Sequence, residues 1–180
     1  MVYVHFAEGF EEIEAVAIVD VLRRGGIETK SVSVTGNLTV CGSHGISICT
    51  DILLEDADYG DCEMIVLPGG MPGTTNLLAH EGLTSHIISF AKNKKYLAAI
   101  CAAPMVFGKL GLLESKKATI YPGMEENLPG AMAQSDRVVI DGNIITSKGP
   151  GTALEFSLAL VGILSSEEEA AKLKKAMVVD

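Results

Sequence analysis

Between residues 2 and 164 the chain alternates short apolar runs with longer amphipathic ones, and this alternation restricts the fold more than any other feature. "VYVHF" (2–6) reads as a buried strand, and "EEIEAVAIVDVLRRGG" as a helix stopped by glycine. "IETKSVSV" is the next strand. "LTVCGSHGISICTD" reads as a hairpin turning at "GSHG", and "EMIVLPGG" as a strand running into a glycine-rich loop. A helix is predicted over 75–93, a strand at "YLAAIC", a short helix at "APMVFGKLG" and a strand at "ATIYP". "RVVIDGNIITS" is a hairpin with Asp-Gly at its turn, and "GTALEFSLALVGIL" a long buried helix. Such strand–helix–strand units predict an α/β sandwich with a mainly parallel sheet.

The 180 residues suit one domain, 1–180, with a core that needs no staples. Tryptophan is absent, so Ala, Val, Ile and Leu must fill that core, as in sheets covered on both faces. A net charge of −9 argues against nucleic acid and anionic membrane surfaces as partners. "MVYVHFAEGF" has no basic leader and no run reaches the length of a membrane span, so a cytoplasmic location is expected. Thiols stay reduced there. Cys41, Cys49, Cys62 and Cys101 form no C-x-x-C pair and have no zinc-finger histidines, so no metal or cofactor is expected. "SSEEEAAKLKK" reads as a solvated helix capped by Ser165 or Ser166, with Glu first and Lys last.

In parallel sheets chemistry gathers at the C-terminal ends of the strands. Three loops meet there, after Phe6, Leu67 and Ile100, joined by "SKGPGT" (147–152). Within "LAAICAAP", Cys101 stands where a strand gives way to a helix. Small Ala102 and Ala103 follow, then Pro104, which suits a first helical turn. That setting fits a nucleophile elbow, with amides and a helix dipole favouring thiolate; a plain core cysteine is the other reading. Glu14 lies on a mostly apolar stripe with Phe10, Ala17, Ile18 and Val21. It reads either as a buried, proton-holding carboxyl or as a helix-start Glu in company with Glu11 and Glu12. In "LPGGMPGT", Gly69 and Gly70 expose amides suited to an oxyanion, but the loop matches neither nucleotide-binding fingerprint. His5 reads as a core or strand-end residue, His80 and His86 as solvent-facing, and His44 as part of the hairpin turn.

"AEGFEEIEAVAIVDVLRRGGI", "MIVLPGG", "AAICAAP" and "SKGPGTALEFSLALV", in this order, resemble the ThiJ/PfpI superfamily, in the branch of the parkinsonism-associated deglycase and bacterial ThiJ. The resemblance runs from Val2 to about Val179. It implies a flavodoxin-like three-layer sandwich and a homodimer. It implies that Cys101 is a low-pKa nucleophile, readily oxidised to sulfinate, with Glu14 as its protonated partner. The amides of Gly70 and Ala102, with Gly69, would form the oxyanion site, and Tyr121, Gly149 and Pro150 would line it. The expected activity is a glyoxalase or deglycase acting on methylglyoxal, glyoxal or their early protein adducts. The alternative is an oxidative-stress sensor or chaperone with little turnover. Ala102 replaces the histidine of the protease branch, which argues against a peptidase. Tyr121 stands where the deglycase branch has histidine, and a phenol titrating near ~10 is a poor base at neutral pH. The hairpin at 38–49 and the first helix are the expected dimer surface.

Overall fold

The computed structural model describes residues 1–179. Seven strands form one sheet: β1 (Val2–Phe6), β2 (Thr29–Ser33), β5 (Ile52–Leu53), β6 (Met64–Leu67), β7 (Tyr96–Ile100), β10 (Val138–Asp141) and β11 (Ile144–Ser147). Their order is β10-β11-β7-β6-β1-β2-β5. Every neighbouring pair is parallel except β10 with β11, which forms the expected hairpin. A separate antiparallel hairpin joins β3 (Thr39–Cys41) to β4 (Ser47–Cys49).

The strands read as continuous apolar runs because both faces are covered. Side chains alternate between the faces. Val4, Phe6, Val66, Ala98, Ile100 and Ile145 pack with α1 (Glu12–Arg24), α5 (Ala153–Leu164) and α6 (Glu167–Ala176). Tyr3, Ile65, Leu67, Leu97 and Ala99 pack with α2 (Gly73–Ala79), α3 (Glu81–Lys92) and α4 (Pro104–Lys109). The fold is a flavodoxin-type three-layer sandwich. The connection after β1 covers one face and the connection after β6 the other, so a crevice opens between these adjacent strands at their C-terminal ends.

Three expectations need correction. The helix over 75–93 is two helices, because His80 adopts extended backbone and its Nδ1 accepts from the Leu83 amide at 3.2 Å, capping α3. "ATIYP" is not a strand. Only β8 (Lys117–Ala118) pairs, with β9 (Met132–Ala133), while the Tyr121 amide turns to the Cys101 carbonyl at 2.8 Å. His86 is half-buried rather than solvent-facing, and stacks on Tyr59 with ring centroids 3.7 Å apart. Ser166 is the cap of α6, its side chain accepting from the Glu169 amide.

Candidate active site

The elbow begins with backbone geometry. Cys101 directly follows β7 and has φ 62°, in the left-handed region. For a residue with a Cβ this costs about 1–2 kcal/mol, so surrounding contacts must hold it. The Cys101 amide donates to the Ser147 carbonyl at 3.0 Å, and the Cys101 carbonyl accepts from Tyr121. Pro104 then opens α4, as its place in the sequence predicts. Cys101 is 8% exposed.

The glycine-rich loop passes so close that side chains are excluded. A Cβ on Gly69 would stand 2.6 Å from the Cβ of Cys101. One on Gly70, where φ is +90°, would stand 2.5 Å from the Glu11 amide nitrogen. Gly70→Ala therefore combines a disallowed conformation with a backbone clash and is expected to lose at least about 2 kcal/mol of stability. Gly26, at φ +72° with open space around it, isolates the conformational part. Gly26→Ala should cost about 1 kcal/mol. Urea unfolding of both variants separates the effects, and equal losses would show that the close approach costs nothing.

Glu14 comes from the first turn of α1 and is fully buried. Its Oε2 accepts from the Gly69 amide at 2.8 Å. Its Oε1 lacks a hydrogen-bond partner. Burial pushes this carboxyl up to about 7, against the Gly69 amide and the Cys101 thiol, which pull it down. Of the two sequence readings of Glu14, the buried carboxyl is the one that fits this geometry.

The expected low-pKa thiol is corrected. Burial, then the negative charge of Glu14, push Cys101 up to about 12, outweighing the amides of Gly70 and Ala102 that pull it down. Two acids in contact titrate as a pair. The first proton leaves this pair near neutrality, because burial of Glu14 delays it; the second is held far longer, because two buried negative charges repel. Above neutrality the pair keeps one proton. When it sits on Glu14, a thiolate faces two amides.

Tyr121 is tied to the elbow through its backbone, and its half-exposed ring stands 3.4 Å from where Gly149 would carry a Cβ. Pro150 begins a short turn into α5. It also lines a groove of about 740 Å³ with Ile13, Leu154 and Leu158 between α1 and α5, and neither Cys101 nor Glu14 is part of that lining. His5 points to the opposite face of the sheet, where its Nε2 lies 2.7 Å from the Tyr59 hydroxyl. Glu12 holds the hairpin tip: its carboxylate accepts from the His44 amide at 2.6 Å and faces His44 Nδ1 at 2.8 Å. Glu11, Glu12 and His44 bring ligand atoms within 4.8 Å of one another, but Glu12 is already engaged by the hairpin and Glu11 by the Glu14 amide.

The sequence model of the DJ-1/PfpI family matches residues 1–162. The chain belongs to that family. Over 179 residues it is 40% identical to "Protein DJ-1 homolog B" of Arabidopsis thaliana, with 99% of this chain and 41% of the relative covered. The chain thus spans about two fifths of the length of that relative. The crystal structure of Drosophila melanogaster DJ-1beta superposes with a TM-score of 0.95 at 35% identity, covering 99% of this chain and 97% of the other. "Glutathione-independent glyoxalase DJR-1.2" of Caenorhabditis elegans is 32% identical over 171 residues, covering 94% of this chain and 91% of the relative. The DJ-1/PfpI family therefore includes a protein described as a glyoxalase.

Two residues beside the site carry little signal in the sequence. Glu11 was visible only as one acid in "EEIE", and the Ser147 carbonyl carried no signal, because its role arises from the parallel neighbours β11 and β7.

Proposed function

We propose that this DJ-1/PfpI protein is a cofactor-independent glyoxalase-type enzyme, acting on methylglyoxal, glyoxal or their early protein adducts. The observation that carries the reading is the contact between a buried carboxyl with a free oxygen, Glu14, and a thiol at a left-handed elbow, Cys101. The Cys101 sulfur adds to the aldehyde carbon as its proton passes to Glu14, and the resulting alkoxide takes a proton to give a hemithioacetal. The amides of Gly70 and Ala102 face the developing oxyanion. Glu14, as carboxylate, removes the proton on the former aldehyde carbon and returns one to the adjacent carbon, leaving a thioester. Water then releases the hydroxy acid and restores the thiol, so methylglyoxal plus water gives lactate with no outside oxidant. Tyr121 lines the entrance in this scheme and takes no proton. Lactate formation by wild type and Cys101→Ala tests the scheme.

The same reading treats residues 1–180 as one domain, working in a reducing, cytoplasmic compartment and pairing as a homodimer. For the dimer, Ile13 and Val16 of α1 and Leu38 and Ile46 of the hairpin segment are large apolar side chains left exposed. Val16 shares a groove with Ile48 and Cys49, joining helix and hairpin into one surface. Ile46→Glu is expected to shift the protein from dimer to monomer in sedimentation velocity at micromolar concentration. An unchanged sedimentation coefficient would place the interface elsewhere.

A further inference from the structure

The first turn of α1 closes a ring of hydrogen bonds around the Gly69 peptide. The Glu11 amide donates to the Gly69 carbonyl at 2.9 Å. The Gly69 amide donates to Glu14 Oε2 at 2.8 Å. The Glu14 amide donates to Glu11 Oε2 at 2.7 Å, which makes Glu11 the N-cap of α1. Glutamate is an unusual choice here, since Ser, Thr, Asp and Asn cap helices with shorter side chains. A cap alone needs an acceptor, not a second carboxylate placed in the dark beside Glu14. Yet Glu11 is only 7% exposed.

We propose that Glu11 is a positioning residue for the Glu14–Cys101 pair, holding the Glu14 carboxyl on the Gly69 amide and setting a like charge beside it. It acts through Glu14 and does not touch the reacting atoms. Its negative charge favours the protonated form of Glu14. The other charged groups near Glu14 are accounted for. Cys101 faces it from the end of β7. The Gly69–Gly70 loop brings amides only. Glu12 is turned to His44 of the hairpin. From the helices packed on α1, Glu155 is paired outward with Arg137, and Lys174 lines the outer groove. His5 lies across the sheet.

The inference rests on Glu14 and Cys101 forming the reactive pair, and thiol alkylation reads that pair whether or not the protein turns over an aldehyde. The experiment follows iodoacetamide labelling of Cys101 against pH by peptide mass spectrometry, in wild type, Glu11→Gln, Glu11→Asp and Glu14→Gln. Glu11→Gln keeps an acceptor for the Glu14 amide but removes the charge. Its labelling curve should move to lower pH by about half a unit or more, with little change in melting temperature. Glu11→Asp keeps both cap and charge and should retain the wild-type curve. If Glu14→Gln moves the curve while Glu11→Gln leaves it in place, or Glu11→Asp shifts it as Glu11→Gln does, the role of Glu11 is overturned. If Glu14→Gln also leaves the curve unmoved, the reactive pair is overturned, and the role of Glu11 with it.

Discussion

Cys101→Ala should lower lactate formation from methylglyoxal by about a thousandfold or more, because the covalent route loses its nucleophile entirely. Glu14→Gln should lower it by about a hundredfold or more, since the amide still accepts from Gly69 but holds no transferable proton. The comparison is informative because the two variants leave the scaffold alone. Alanine at 101 removes only the sulfur, and the left-handed turn stays fixed by the Ser147 and Tyr121 contacts. Wild-type turnover should rise with pH through about 7, as the first proton leaves the pair. Equal lactate production by wild type and Cys101→Ala would remove the thiol from the reaction. Wild type that makes no lactate, yet adds about 32 Da at Cys101 under mild peroxide, would instead favour a thiol that records oxidation.

The second large effect is on stability, where two buried groups oppose each other. His5 is held neutral by burial, which lowers it from an ordinary 6.5 to about 3. Below pH 6.5 the unfolded chain gains a proton that the folded one refuses, so His5 makes stability fall as pH drops. Glu14 is raised from 4.5 to about 7. Its contribution is fully present below 4.5 and is lost as pH rises through 7. At about 1.36 kcal/mol per pH unit, and with each group half-titrated in the unfolded chain at one edge of the window, each moves stability by roughly 2 kcal/mol between pH 4.5 and 6.5, in opposite directions. In wild type the contributions of His5 and Glu14 should therefore largely cancel across this window, leaving those of His86, lowered by burial, and His44, raised by Glu12, which also oppose each other. Glu14→Gln should lose stability on acidification from 6.5 to 4.5, and His5→Gln, which keeps a polar partner for Tyr59, should gain it. Glu12, lowered to about 2 by its contacts with His44 despite burial, acts only at more acid pH. Urea unfolding at three pH values measures all of this. Parallel profiles for the three proteins would mean that neither group titrates as its burial requires.

The strand pattern was legible because covering both faces of a sheet demands continuous apolar runs, and "VYVHF", "MIVL" and "YLAAI" supply them. The turn at Cys101 was legible for a related reason: small residues and proline after a strand end suit a turn into a helix, although a plain core cysteine reads the same way in sequence. What stayed hidden depended on distant neighbours. The break at His80 comes from a side chain capping the next helix, which helical periodicity does not register. "ATIYP" has strand composition, but Tyr121 spends its amide on the elbow instead of on a ladder. The rise in the Cys101 pKa follows from burial next to Glu14, across 87 positions of chain that no local motif spans.

One turn of helix, "EEIE" (11–14), meets four different surroundings at once: Glu11 its own helix start, Glu12 the hairpin tip, Ile13 the solvent-facing groove, Glu14 the thiol. Such a turn has no spare face, so natural variation there should be scarce for reasons unrelated to helix propensity. It also couples surface to interior. If a second subunit covers Ile13, thermodynamic reciprocity sets a strict demand: modification of Cys101 must alter subunit affinity by the same factor by which association alters the modification equilibrium.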